Sequence, residues 1–147
     1  MRTKLLHEQA GQRTFVVVLD QGDEVTASLT QYAGREGLNE ASLSAIGAFE
    51  RAVLAYFDWE AKDYLHIGVD EQVEVATLLG DIGIDDAGKP ALHMHVVLGR
   101  RDGSALAGHL KEGHVRPTLE VIVTESPAHL RRRLDEATGL TLIRPES

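Results

Sequence analysis

The sequence predicts an α+β fold, in which largely antiparallel β-sheets carry one main helix. Two observations support this class: from residue 41 onward the apolar segments are typical of strands separated by turn residues, and one segment has clear helical periodicity. The length of 147 residues suits a single domain spanning residues 1–147. The chain is 43% apolar and only 5% aromatic, so we expect an ordinary, mostly aliphatic core.

The first predicted strand and the main helix lie near the N-terminus. TFVVVLD at residues 14–20 predicts a strand, because β-branched residues favour extended backbone. Asp23 is then expected to cap a helix over residues 23–34, which ends at Gly34 or Gly37. The apolar residues at helical spacing are Val25, Leu29, Tyr32 and Ala33.

Further strands are predicted through the middle of the chain, because turn signals separate the apolar segments. The expected strands span residues 42–49, 51–58, 63–69, 73–84, 90–99, 104–110 and 118–125. Near the end, Ser126-Pro127 is typical of a helix start, Leu130 and Leu134 lie four residues apart, and Gly139 suits a helix end. We therefore also predict a short C-terminal helix.

Composition argues against several function classes. The chain has no cysteine, so it has no disulfide and no thiol nucleophile, and a transition-metal site must use His, Asp, Glu or water. Its net charge of −8 argues against a general affinity for nucleic-acid phosphates. No apolar run suits a signal peptide or a membrane span, so we predict a soluble, cytoplasmic protein that does not bind membranes.

The stretch LHMHVVLGRRDGSALAGHL, residues 92–110, holds three of the seven histidines. Alternate residues of a strand point to one face, so His93 and His95 share a face. If His109 joins them, three imidazoles leave a fourth position for water or substrate, the pattern of catalytic zinc sites. We take the three as candidate Zn²⁺ ligands; the alternative is that they are surface or hydrogen-bonded strand residues.

The turn between the two predicted strands decides whether His109 joins the pair. If Asp102-Gly103 is a two-residue type I′ loop, His109 pairs with Val96 and faces away. If residues 101–103 form a three-residue loop with its glycine left-handed, His109 lies opposite His95 on the same face. The local residues fit both registers.

Two carboxylates are candidate catalytic residues or metal ligands. Glu120 lies within the apolar TLEVIV, and Glu74 lies near the start of VEVATLLG. Each is a candidate metal ligand, hydrogen-bond partner of a metal ligand, or general base. The alternative is a charge on the solvated face of an antiparallel strand. His66, in LHIGV, is a further candidate for the same cleft.

Residues 88–125, GKPALHMHVVLGRRDGSALAGHLKEGHVRPTLEVIVTE, resemble the core of the PPC (plant and prokaryote conserved) domain. The family pattern is roughly LHxHxxLxxxxGxxxGGHLxxGxxxxPTxEVxI. LSAIGAFERAVLAYFDWEAKDY, FVVVLDQGDEVTASLTQYAGREG and the late DEATGL also fit the family, so that the resemblance covers residues 13–142.

The resemblance implies a homotrimer with antiparallel sheets, related in fold to acetolactate decarboxylase, in which histidines hold a catalytic zinc. It implies that His93, His95 and His109 are the zinc ligands here, and it favours the three-residue loop. The family is also labelled DNA-binding, because plant members carry an AT-hook. This acidic chain lacks an AT-hook, so the implied DNA binding is weak.

Three functions are consistent with these residues. The first is a metal-binding protein that takes a small-molecule ligand, including a metal-dependent enzyme of lyase or hydrolase type. The second is a DNA-associated regulator, as the family label suggests. The third is a trimeric scaffold that binds other proteins and has no chemistry of its own.

Overall fold

The computed structural model describes residues 1–126 and 132–143, and it confirms the α+β class. The elements are β1 (Arg2–Gln9), β2 (Gln12–Asp20), α1 (Val25–Glu36), β3 (Ala41–Asp58), β4 (Asp63–Val69), β5 (Val73–Ile84), β6 (Pro90–Gly99), β7 (Ala105–Glu125), β8 (Arg132–Asp135) and β9 (Leu140–Ile143). Within the described ranges, no helix is long and apolar enough to cross a membrane.

Seven strands form one antiparallel sheet in the order β1-β2-β7-β6-β5-β3-β4. Strand β7 also pairs with β3, so that β7, β6, β5 and β3 close into a ring. The closure is possible because β3 and β7 are long and contain register shifts, where each strand bends. Strands β8 and β9 form a separate two-stranded sheet.

The core consists mainly of aliphatic side chains at alternate positions of the central strands. Helix α1 packs against β6 and β7 through the four apolar residues that the sequence predicted. Met94, Val96 and Leu98 of β6 are buried in this core. Because side chains alternate along a strand, His93 and His95 lie on the outer surface of the ring.

Helix α1 has a different N-cap from the one predicted. The cap is Glu24, whose carboxylate accepts hydrogen bonds from the backbone amides two and three residues later, at 3.1 and 2.7 Å. The Asp23 carboxylate instead accepts a hydrogen bond from the backbone amide of Asp20, at 2.9 Å. The helix continues past Gly34 and ends at Gly37, whose φ of 65° is left-handed and suits glycine.

Two predicted strand breaks are wrong. The predicted strands 42–49 and 51–58 are one strand, β3, and the two predicted strands within β7 are likewise continuous. The polar residues near Glu50 and at Glu112-Gly113 lie beside register shifts rather than in turns. A β-bulge inserts a residue without ending the strand, so the ladder continues past both places.

The chain ends contain strands that the sequence did not predict. Strand β1 is exposed along its whole length and lacks the alternation of a half-buried strand. The predicted C-terminal helix is wrong at Leu134, which lies in β8, and residues 127–131 lie outside the described residues. The β8–β9 turn instead closes when the Gly139 amide, with φ 74°, donates to the Asp135 carbonyl at 2.7 Å.

Candidate metal centre

The β6–β7 hairpin brings the three histidines to one face. The Arg100 amide donates to the Ser104 carbonyl at 2.8 Å, which leaves a three-residue loop that ends in Gly103 with φ 84°. His95 and His109 are therefore direct cross-strand partners. The three-residue register is confirmed, and the two-residue alternative is wrong.

His93, His95 and His109 surround one point. One nitrogen from each ring lies within 4.8 Å of the nitrogens of the other two. The ring centroids are 5.0, 5.2 and 5.5 Å apart. His95 is exposed and the other two are half-buried. Imidazole is a ligand for zinc, copper, iron and nickel, and a set of three leaves a coordination position open.

The buried Nδ1 atom of His109 has no hydrogen-bond partner within the described part of the chain. Burial, together with the neighbouring His93 and Lys111, lowers the pKa of His109 to about 4. Burial also lowers the pKa of His93. Both imidazoles are therefore neutral at pH 7, the form in which a ring nitrogen can bind a metal. An unpartnered, buried and neutral nitrogen fits a metal ligand.

An ion pair lies directly behind His93. Asp81 of β5 is the cross-strand partner of His93, and its Oδ2 lies 4.0 Å from the His93 Nδ1. The buried Arg132 of β8 donates from Nη2 to both Asp81 oxygens at 2.7 Å, and from Nη1 to the Thr141 carbonyl at 3.1 Å. Arg132 thereby ties the β8–β9 hairpin to Asp81, which lies beside His93 at charge-pairing rather than hydrogen-bonding distance.

A cleft of about 430 Å³ opens beside the histidines. His93 and His109 line it together with Tyr64, Lys111 and the β8–β9 hairpin. The Tyr64 ring lies 5.3 Å from the His109 ring, measured between centroids. The Lys111 Nζ lies 4.4 Å from the centroid of the Tyr64 ring. The cluster therefore borders a space large enough for a small molecule.

The other candidates from the sequence do not join the cluster. Glu74 lines a separate cleft of about 510 Å³ near the β6–β7 loop. Glu120 lies in the part of β7 that pairs with β2. His66 of β4 is exposed, and Ala55 of β3 separates it from His109 in the cross-strand register.

Sequence reasoning missed four residues of this region: Tyr64, Asp81, Lys111 and Arg132. The signal for Asp81 was a single charge inside the apolar LLGDIGI. Lys111 follows His109 by two residues, the spacing that shares a strand face. Tyr64 and Arg132 reach the cleft from β4 and β8, and no local pattern marks them.

Comparisons with known proteins give a family and a fold. The model of the Plants and Prokaryotes Conserved (PCC) domain matches residues 6–127. A solved metal-containing protein from Archaeoglobus fulgidus is 32% identical over 99% of both chains, with a TM-score of 0.83. A candidate DNA-binding protein from Ralstonia eutropha is 27% identical over 97% of this chain and 96% of that chain, with a TM-score of 0.85.

A more distant structure resembles this chain in fold alone. It is a Staphylococcus aureus protein of unknown function, similar to alpha-acetolactate decarboxylase, with 12% identity and a TM-score of 0.54. The match covers 80% of this chain and 54% of that chain. A comparison with curated proteins finds no match.

Proposed function

Because the chain belongs to the plants and prokaryotes conserved domain family, we propose that it is a metal-binding member of that family. The observation that carries the proposal is the set of three imidazole nitrogens within 4.8 Å of one another. The Archaeoglobus relative, described as metal-containing, supports it. We propose Zn²⁺ as the ion, with His93, His95 and His109 as its ligands, because three imidazoles with an open position suit zinc.

We propose that the chain binds a small molecule in the adjoining cleft. A second, stronger form of the proposal is that it also converts this molecule chemically. Zinc on three neutral histidines would polarise a carbonyl group or lower the pKa of a bound water. In this proposal, Asp81 acts on His93 through its charge at 4.0 Å, and Arg132 holds Asp81. A lyase- or hydrolase-type reaction with Glu120 or Glu74 as general base stays a prediction. Neither glutamate is among the residues that line the cleft.

Metal analysis tests the proposal directly. Protein stripped with a chelator, reloaded with Zn²⁺ and dialysed should retain about one Zn²⁺ per chain. Alanine at His93, His95 or His109 should abolish retention, because two imidazoles do not hold the ion through dialysis. His66→Ala is the matched control and should retain the wild-type amount. Stoichiometry far below one, or equal losses in the control, would contradict the proposal.

We also propose that the chain forms a homotrimer through the outer face of the sheet. Ile46 and Leu79 are 61% and 58% exposed, and Ile122 is 40% exposed. Ser44 pairs with both Leu79 and Ile122, so the apolar side chains lie on adjoining strands. Contiguous exposed apolar surface of this kind is typical of an interface. A single domain over residues 1–147 and a cytoplasmic location are further proposals.

Native mass spectrometry tests the assembly. The expected mass is three times the chain mass of 16.0 kDa. Leu79→Asp should dissociate the trimer, because a charge would be buried without a partner. Leu65→Asp is the matched control, since Leu65 is 53% exposed on the edge strand β4. A monomeric wild type, or an intact trimer in Leu79→Asp, would contradict the proposed interface.

A DNA-associated regulator is the second candidate, favoured by the Ralstonia relative described as a candidate DNA-binding protein. The net charge of −8 opposes it. Arg100, beside the β6–β7 turn, pairs with Glu71 at 2.9 Å, so its charge is partly neutralised. A titration with an AT-rich duplex at low salt should give weak, salt-dependent binding if this candidate is right. The scaffold function predicts that alanine at all three histidines leaves partner binding intact.

A further inference from the structure

We infer that the cleft beside the histidine cluster takes a small aliphatic carboxylate, whose charged end binds both the open metal position and the ammonium of Lys111. The inference rests on the proposed metal site and adds the class of its ligand. Four features of the cleft support it: its charge, the ammonium of Lys111, the bulge that contains Lys111, and its apolar wall.

The first feature is an excess of positive charge. An imidazole carries no negative charge when it binds a metal, so a divalent ion held by the three histidines would keep its full charge of +2. Arg132 adds little, because both oxygens of Asp81 accept hydrogen bonds from it. At the rim, the Oδ1 of Asp85 accepts from two backbone amides of its own turn. With one aspartate at the rim, the ion and Lys111 leave the cleft net positive and suited to an anion.

The second feature is the ammonium of Lys111. Across residues 1–126 and 132–143, Lys111 forms no ion pair. Its Nζ lies over the ring of Tyr64, which in turn borders the ring of His109. A cation–π contact positions the ammonium but leaves its charge unneutralised. Lys111 is therefore a positioned cation that lines the same cleft as His93 and His109.

The third feature is the β-bulge that presents Lys111. The residues on either side of it pair with consecutive residues of β3, so that Lys111 is the extra residue. Helix α1 anchors this bulge: the Thr26 hydroxyl donates to the Lys111 carbonyl at 3.4 Å, and the Glu24 carboxylate accepts from the Gly113 amide at 3.2 Å. Bulges are frequent beside functional sites, and Lys111 lines the cleft from this one.

The fourth feature is the shape and composition of the remaining wall. One ammonium and one open metal position match a single negative charge shared by two oxygens. Phosphate is better held by a free arginine fork or by several amides at a helix N-terminus, and the fork of Arg132 is occupied. Leu92, Leu140 and Leu142 line the cleft and suit a short aliphatic chain. The volume of about 430 Å³ limits the ligand to a small molecule.

Cobalt-loaded protein gives the test, because the visible spectrum of Co²⁺ reports a new ligand on the ion. Butyrate is titrated, with butyramide as its uncharged counterpart and inorganic phosphate as the other anion. We expect butyrate to change the spectrum and saturate. Butyramide and phosphate should bind at least about tenfold more weakly, since charge-assisted bonds to a fitted carboxylate are lost.

Variants at Lys111 assign the second contact. Lys111→Met should bind butyrate about tenfold or more weakly with unchanged metal content. Lys111→Arg keeps the charge and should retain most of the affinity. Lys62→Met is the matched control, because the Lys62 Nζ also lies over a ring, 3.2 Å from the Trp59 centroid, but outside the cleft. That control should bind butyrate as the wild type does.

Metal content separates the two ways of failing. If the protein retains no metal, the proposed function and this inference are both overturned. If metal is retained but butyrate leaves the spectrum unchanged, or phosphate binds more tightly, only the inference is overturned. The inference alone is also overturned if Lys111→Met binds butyrate as tightly as the wild type. It is likewise overturned if folded Lys111→Arg loses as much butyrate affinity as folded Lys111→Met.

Discussion

Gly80 tests whether the strand packing of the ring holds His93 in place. On β5, Gly80 is the cross-strand partner of Met94. A Cβ atom added at Gly80 would lie 2.3 Å from the His93 carbonyl oxygen and 2.9 Å from the Met94 Cγ. The methionine side chain can move, but the backbone oxygen moves only with its strand. Gly80→Ala must therefore push β6 away from β5 beside His93.

The size of the effect follows from these distances. Cβ contacts shorter than 3.0 Å are essentially never seen, so the two strands must separate by at least the difference between 2.3 and 3.0 Å. Inserting a methyl group into close packing costs about 1–3 kcal/mol, and we expect the free energy of unfolding to fall by that amount. A ligand set needs its geometry within about 0.5 Å, so zinc affinity should fall about tenfold or more.

Two assays measure these effects separately. Urea denaturation of metal-free protein gives the free energy of unfolding, and competition with a coloured chelator gives the zinc affinity. Gly68→Ala on β4 is the matched control, because the nearest atom to its added Cβ lies 4.0 Å away. Its unfolding free energy should stay within about 0.5 kcal/mol of wild type. The reasoning is refuted if Gly80→Ala is equally neutral and binds zinc normally.

Asp81→Asn removes the charge that pairs with Arg132, so zinc affinity should fall about 10–100-fold and amide exchange in residues 132–143 should accelerate. Chelator competition and hydrogen-exchange mass spectrometry measure the two changes, and unchanged values would show that the pair does not position His93. Glu24→Ala removes the helix cap and the bond to Gly113, so urea denaturation should give a loss of about 1–2 kcal/mol; a neutral result would contradict the cap assignment. Metal-free protein should lose stability as pH falls from 6.5 toward about 4, because burial lowers the pKa of His109 to about 4 and the unfolded chain takes up a proton that the folded protein does not. His109→Ala should make this pH dependence shallower in denaturation series, and an unchanged slope would contradict the assignment.

The β6–β7 hairpin shows how far the sequence reaches. Strand alternation correctly places His93 and His95 on one face. The position of His109 depends on a register difference of one residue, and Asp102-Gly103 fits both loops. The family resemblance favoured the register found in the structure, with His95 opposite His109. Local residues therefore predict the pair, and the third histidine needed information from related chains.

Most of what the sequence missed depends on contacts between distant segments. Asp81 and His93 are paired across the β5–β6 hairpin, but Arg132, which holds Asp81, comes from β8, and no local pattern predicts that contact. The spacing of Leu130 and Leu134 suits a helix, yet the β8–β9 hairpin is held by Arg132 through a bond to Asp81. Likewise, Glu112-Gly113 has the composition of a turn, but Glu24 holds it as part of a bulged strand.

The ring of β7, β6, β5 and β3 closes through backbone pairing and around a core cluster that contains no histidine side chain. We therefore expect the chain to fold without the proposed metal ion. An ion bound on the outer surface of the folded ring could leave without exposing core residues. A new ion could then bind at a site whose backbone is already folded. Occupancy should then follow the free ion concentration, which makes exchange of the ion, rather than unfolding, the step that controls how much loaded protein is present.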